Sequence, residues 1–291
     1  MMTSVIIPNW NGEDLIEKNF SSWVDLGADE IIVVDDYSTD KSIEKLKVQS
    51  EKCKVIENNK NLGFARSVNK GVKAAQGDII ILLNTDVKPD KNLIKAILPH
   101  FNDEKVFGVS FAEEKFSWSR GLWKDGFIQH EPGERINNLH ETFWISGGSG
   151  AFRKSIWDEL GGLDEIYAPF YWEDVDLCYR ALKRGYKLLW EPRAKVLHKH
   201  EGTIGKYFSK SYVNFIQERN QLLLIWKNIT SKKMFREHIN GLMGRLLRSP
   251  GYIKVVLAAL TKLSQIKKSR LQEIREAKVT DEEVFAQFKQ L

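Results

Sequence analysis

Two uninterrupted apolar runs open the chain, residues 4–8 (SVIIP) and 30–36 (EIIVVDD), the first closed by a proline and the second by two acids. Runs so short and so rich in Ile and Val predict strands buried on both faces, as in a parallel sheet. Between them, residues 12–27 set Leu15, Ile16, Phe20, Trp23 and Val24 at the spacing of a helix that turns one face to such a sheet. The pattern continues with strands over 54–58 and 77–86, a helix over 64–75 between them, a helix over 90–101 and a strand over 105–111. Strand and helix in alternation predict an α/β fold built on an open, mostly parallel sheet wound with helices.

The alternation stops at residues 112–140, where Trp118, Trp123, charges and glycines are scattered, and irregular structure over a cleft is expected there. Order resumes at 142–152 (TFWISGGSGAF), then a helix near 153–160 and another over 174–184. Gly185 closes that last helix, with Lys183 and Arg184 suited to its negative end. From Tyr207 onward the pattern is helical, broken at Ser249-Pro250-Gly251. A division into residues 1–206 and a helical region over 207–291 follows.

Composition narrows the class. The 291 residues are 42% hydrophobic and 11% aromatic, enough for a proper core. Two cysteines, Cys53 and Cys178, give neither a disulfide framework nor a metal-knuckle spacing, and fit a reducing compartment. With no leader pattern after Met2 and no apolar run near the ~20 residues of a membrane span, a cytoplasmic protein is expected. The net charge is +5, but residues 231–270 hold ten Lys and Arg against one acid, Glu237, a surface for an anionic partner. The aromatics there, Phe235 and Tyr252, are too sparse to stack nucleic-acid bases.

In an open α/β sheet, ligands gather beyond the carboxyl ends of the strands. Pro8-Asn9, Asp35-Asp36 and Asn84-Thr85-Asp86 all fall there, without a G-x-G-x-x-G or P-loop phosphate cradle. Any one of them could simply cap a helix or make a turn. Three at successive strand ends suit ribose and base hydrogen bonds and a metal that bridges a diphosphate.

SVIIPNWNG, VVDDYSTDKS, NLGFARSVNKG and LLNTDV, in that order, resemble the inverting family-2 glycosyltransferases, which have the GT-A fold. The block SGGSGAFRKSIWDELGGLDEIYAPFYWEDVDLCYRALKRGYKLLWEP and the segment ERNQLLLIWKN resemble the same family, so the likeness covers roughly residues 3 to 228. It implies a nucleotide-sugar half over 1–111, an acceptor half over 112–206, and transfer from a nucleotide diphosphate-sugar to a saccharide or lipid-linked acceptor. Asp36 then matches the acid that holds the base, with Pro8, Asn9 and Asn61 beside it, and Asp86 matches the last acid of the D-x-D metal motif. Asn84 stands at the motif's first acid, and Thr85 between. His198 matches the histidine that completes the Mg2+ or Mn2+ site, with His200 as its rival.

Asp174, inside FYWEDVDLCYR, matches the catalytic base that takes the acceptor proton in a single displacement. Glu173 could bind an acceptor hydroxyl, and Asp176 could instead pair with Arg180 one helical turn on. Gly147, Gly148 and Gly150 allow close backbone approach to a ligand, or form a plain turn. Trp118, Trp123 and Trp144 could stack on sugars or pack the core or a lid, Trp172 is an acceptor-binding candidate, and Arg219 could clamp the diphosphate or lie solvated on its helix.

Cell-surface polysaccharide synthesis, with a deoxysugar such as rhamnose, is the leading function. Transfer onto a polyisoprenyl phosphate, which needs no base, and a non-catalytic nucleotide-sugar-binding relative are the alternatives. The stripe Ile253, Val256, Leu257, Leu260, Leu263 and Ile266, edged by lysines, suits either a peripheral helix on an anionic membrane surface or a packing face, on the catalytic domain or a second subunit.

Overall fold

In the computed structural model, which describes residues 1–48, 51–114, 117–134, 136–199 and 203–288, the first apolar run becomes β1 (Thr3–Asn9). It is followed by α1 (Glu13–Val24), β2 (Glu30–Asp35), α2 (Ser42–Val48), β3 (Lys54–Glu57), α3 (Phe64–Ala74) and β4 (Ile79–Leu83). The strands pair in parallel in the order β3-β2-β1-β4. Alternate residues of each strand feed opposite cores, because strand side chains point to the two faces in turn. Ile6, Ile32, Val34, Ile80 and Leu82 pack with Val68 and Val72 of α3. Val5, Ile7, Val33, Ile79 and Ile81 pack with Ile16, Phe20 and Trp23 of α1.

The chain then runs through β5 (Val87–Pro89), α4 (Leu93–Ile97), β6 (Val106–Glu113), β7 (Ser119–Lys124), β8 (Phe127–Pro132), β9 (His140–Glu141), β10 (Ser149–Arg153), α5 (Lys154–Leu160), α6 (Glu173–Lys183) and β11 (Lys187–His198). β10 lies antiparallel between β4 and β6, and β11 runs parallel to β6 but antiparallel to β5 and β9. Among the described residues this makes nine strands, ordered β3-β2-β1-β4-β10-β6-β11-β5 with β9 on β11. The α/β fold is as expected, parallel through its first half and mixed beyond.

Residues 112–140 are more regular than expected. β7 and β8 form an antiparallel hairpin, turned at Asp125 and Gly126, both with positive φ (52° and 77°). An Asp-Gly pair is the turn that matches the twist of two flanking strands. The helix expected over 90–101 is also shorter: α4 ends at Ile97 and continues as a 3₁₀ turn, Leu98–Asn102. Pro99 in that turn lacks an N–H and cannot extend the α-helical ladder.

The C-terminal region forms α7 (Thr203–Tyr207), α8 (Lys210–Asn228), α9 (Lys232–Arg248), α10 (Ile253–Leu260), α11 (Leu263–Glu276) and α12 (Asp281–Ala286). The basic end of α6 anchors it: Lys183 Nζ lies 2.7 Å from Asp281, and Arg184 pairs with Glu273 at 2.8 Å and Glu276 at 2.6 Å. Tyr179 donates its hydroxyl to Asp281 at 2.7 Å. Lys183 and Arg184 therefore engage carboxylates of α11 and α12. Leu222, Leu223, Leu224 and Ile225 of α8 share one core with Val284, Phe285, Phe288, Phe143 and Tyr179. Among the described residues no helix is long and apolar enough to cross a membrane.

Candidate active site

At the carboxyl ends of β1, β2 and β4 lies a cavity of about 330 Å³, and Pro8, Asn9, Asp36, Asn61, Asn84, Thr85 and Asp86 all line it. Asn9 donates from Nδ2 to Asp35 at 2.7 Å, which leaves its buried Oδ1 without a partner. Asp36 accepts from the backbone N–H of Leu62 (2.7 Å) and Gly63 (2.8 Å) and from Asn58 Nδ2 (2.9 Å), so it ties the NLGF loop to the cavity. Gly63, at φ 86°, supplies the left-handed turn this needs. Trp10 packs on Tyr207 with ring centroids 4.8 Å apart, and Phe170, Ile204 and Phe208 complete an apolar wall.

The antiparallel register of β11 on β5 sets His198 opposite Val87, next to the buried Asp86. His198 Nε2 lies 3.3 Å from Asp86 Oδ1, and Nδ1 lies 3.0 Å from Glu113 Oε1. Burial alone would lower the imidazole pKa, but its hydrogen bonds to the two carboxylates prevail and raise it to about 9. Among the described residues no group of three or more His, Cys, Asp or Glu is arranged to hold a metal. Asp86 and His198 nonetheless bring a hard oxygen and an imidazole nitrogen to one cavity, a partial set that Mg2+ or Mn2+ could complete with diphosphate oxygens and water. Glu113, unforeseen, ends β6 beside Val196 of β11. His200, the rival ligand, lies outside the described residues.

A second cavity, about 850 Å³, shares Phe64, Asn84, Asp86, Phe170 and Ile204 with the first and contains Gly147, Gly148, Trp172, Glu173 and Asp174. Asp174, in the first turn of α6, accepts from Gly147 N–H at 3.1 Å and Val175 N–H at 2.8 Å. Burial raises its pKa and these N–H groups restrain the rise. Glu173 is 6% exposed with Oε2 unpartnered. Burial, reinforced by the charge of Asp174, pushes its pKa well above the usual carboxylate range. A Cβ at Gly148 would sit 2.2 Å from Asn84 Nδ2, so any larger residue there would displace the Asn84 amide.

Tyr171 and Trp172 both adopt positive φ (71° and 76°), a conformation that costs about 1–3 kcal/mol per residue and needs support from its surroundings. Asn220, fully buried on α8, gives that support by donating to the carbonyls of Tyr167 (2.7 Å), Phe170 (2.9 Å) and Tyr171 (2.9 Å). Arg219 binds Ala168 O at 2.6 Å and Asn220 Oδ1 at 2.7 Å, and it lines neither cavity. Trp144 lines the larger cavity, whereas Trp118 and Trp123 direct their Nε1 to Glu134 O and Glu237. Asp176 does pair with Arg180 at 2.8 Å, and also with Lys227 at 2.9 Å.

The sequence model of glycosyl transferase family 2 matches residues 4–161. A pre-mycofactocin glycosyltransferase of Mycobacterium tuberculosis is 27% identical over 215 residues, covering 71% of this chain and 44% of that protein. An N-acetylglucosaminyl-diphospho-decaprenol L-rhamnosyltransferase of the same organism is 26% identical over 215 residues, covering 60% of this chain and 68% of that one. The chain thus spans less than half the length of the first relative. A crystal structure of GalNAc-T7 with UDP, GalNAc and Mn2+ superposes with a TM-score of 0.64 at 18% identity, over 80% of this chain and 49% of that one. The architecture is that of the GT-A glycosyltransferases.

Proposed function

The chain belongs to glycosyl transferase family 2, and we propose that it transfers a sugar, with inversion, from a nucleotide diphosphate-sugar to a hydroxyl of a saccharide or lipid-linked acceptor. One observation carries this reading: two cavities meet along Phe64, Asn84, Asp86 and Phe170, and the larger holds two desolvated carboxylates. The smaller cavity suits the nucleotide, with Pro8, Asn9, Asp36 and Asn61 around base and ribose and the bare Asn9 Oδ1 as an acceptor. Asn84 and Thr85 lie toward the donor sugar. A divalent ion held by Asp86, His198 and the diphosphate would neutralise the leaving group.

In the larger cavity Asp174 takes the proton of the acceptor hydroxyl. That oxygen bonds to the anomeric carbon while the bond from the carbon to the diphosphate oxygen breaks on the opposite face. Desolvation makes Asp174 the stronger base for this step. Glu173 and the Gly147–Gly148 backbone hold acceptor hydroxyls, and Trp144 and Trp172 offer ring faces to the sugar. Arg219 acts at one remove, through the Ala168 carbonyl. The mycobacterial relative named for a diphospho-decaprenol acceptor and rhamnosyl transfer supports a lipid-linked acceptor; cell-surface polysaccharide synthesis at the cytoplasmic face of the membrane is part of the same proposal.

Asp174→Asn tests the reading. Donor affinity, measured by calorimetry across UDP-, dTDP- and GDP-sugars with Mn2+, is expected to hold while turnover falls roughly 10²–10⁴-fold. Unchanged turnover would remove the base, and would favour a phosphate-oxygen acceptor that needs none. Retention of configuration in the product would refute inversion.

A further inference from the structure

The apolar stripe of the C-terminal helices does not lie on one packing face. The chain breaks at Thr261 and Lys262, between α10 and α11. Tyr252, Val255, Ala259 and Ile266 turn inward and are buried, in a unit whose α10 and α11 pack on α8. Ile253, Leu257, Leu260 and Leu263 stay 37–56% exposed, and Leu247 at the end of α9 is 79% exposed. Isolated exposed leucines are ordinary, whereas a run of them on successive turns marks an interaction surface.

The charge along this stretch of chain is of one sign, and Glu218 of α8 is an acid that reaches it from a neighbouring helix, acting on Tyr252. Two basic residues of the region are taken into the fold: Arg245 lies 3.6 Å from the Phe127 ring centroid, and Arg270 donates to Trp226 O at 3.0 Å. Glu237 accepts from Trp123 Nε1, and no acid occurs from residue 238 to 272. Arg248, Lys254, Lys267 and Lys268 remain exposed beside the ridge. A second copy of the chain, meeting the first through the same patch, would oppose these cations with their own images. An apolar ridge edged by cations fits a surface that is anionic outside and apolar beneath.

We propose that this face docks on an anionic lipid bilayer. The ridge enters the headgroup region and the cations meet lipid phosphates. Helix α8 carries the packing of α10 and α11 and also presents Gln217, Glu218 and Gln221 to the larger cavity, so the docked face and the cavity share one rigid element. The proposal stands without glycosyl transfer, and its test contains neither donor nor acceptor.

The test is flotation of the full chain with vesicles of 30% phosphatidylglycerol in phosphatidylcholine, against pure phosphatidylcholine, at low and high salt. Binding to the anionic vesicles is expected, weakened by salt. Each basic residue near such a surface strengthens binding by roughly fivefold, so the Lys254→Gln, Lys267→Gln, Lys268→Gln triple variant is expected to bind on the order of a hundredfold more weakly. Leu257→Gln with Leu260→Gln is expected to weaken binding at least tenfold, since both side chains lose their apolar seat. All five positions are exposed, so an unchanged Tm certifies the fold. Absent binding of the wild type, or equal binding of both variants, overturns the proposal. So does a dimer in analytical ultracentrifugation that the leucine variant dissociates without affecting flotation, which would assign the ridge to a second copy.

Discussion

Replacing Asp176 by asparagine removes one negative charge from a fully buried site and changes almost nothing in shape. The carboxylate accepts from Tyr167 OH (2.8 Å), Arg180 Nε (2.8 Å), Lys227 Nζ (2.9 Å) and Asn228 Nδ2 (2.7 Å). Burial alone would raise its pKa, but Lys227 and Arg180 hold it well below the usual carboxylate range. In the variant Arg180 keeps the carbonyls of Leu160 and Gly162, and Lys227 keeps Asp164 at 2.6 Å. Both cations nevertheless remain buried without their shared counter-charge. Breaking a buried pair in this way costs about 3–5 kcal/mol, which for a chain of 291 residues is a fall in Tm of roughly 5–8 °C. Because the folded-state pKa is depressed, the stabilisation is present above the unfolded value near pH ~4 and fades as pH falls through the folded value. Calorimetry at pH 7 and below pH 4 is therefore expected to show a wide gap between wild type and Asp176→Asn that narrows with acid. A variant as stable as wild type at pH 7 but inactive would refute this reasoning and move Asp176 into the chemistry.

Glu173 has the opposite sign. Its folded-state pKa is raised, so its burial is harmless below about pH 4 and costs stability as pH rises through the folded value. Glu173→Gln is expected to match wild-type Tm at pH 4 and to exceed it increasingly toward pH 8, and a constant difference across that range would refute the assignment. Glu113→Gln is expected to weaken Mn2+ affinity by roughly 10–100-fold, measured by calorimetry with nucleoside diphosphate present, because the carboxylate that orients His198 is gone. Unaltered Mn2+ affinity would show that His198 needs no such support.

The elements legible in the sequence were those specified by neighbours in the chain. The runs at β1, β2 and β4 and the apolar face of α1 follow from strand and helix periods alone. Proximity of Asp36, Asn84 and Asp86 followed from the rule that strand ends share one edge of the sheet. Asp125-Gly126 was a readable hairpin signal, masked by the irregular residues around it. The short β5 and α2 have too few residues to show a period. Glu113 and Asn220 were hidden for a different reason. One works through the pairing of β6 with β11, the other through a loop about fifty residues away, and neither partner is visible from its surroundings in the chain.

The stretch FYWEDVDLCYR shows how far one helix turn can separate three like residues. Tyr171 and Trp172, held in left-handed conformations by Asn220, make α6 begin abruptly at Glu173. Glu173 is then buried with one oxygen bare, and Asp174 lines the larger cavity with two N–H groups to steady it. Asp176, two positions further on, points the other way, into Lys227 and Arg180. One charge is suppressed, one is poised and one is neutralised by pairing. The aromatic residues before the acids thus have a structural reason to be there: they end the preceding loop and desolvate the carboxylates that follow. If Asn220 is what holds the two left-handed residues, then truncating it to alanine releases the loop and loosens all three environments together, so activity and stability fall in one step.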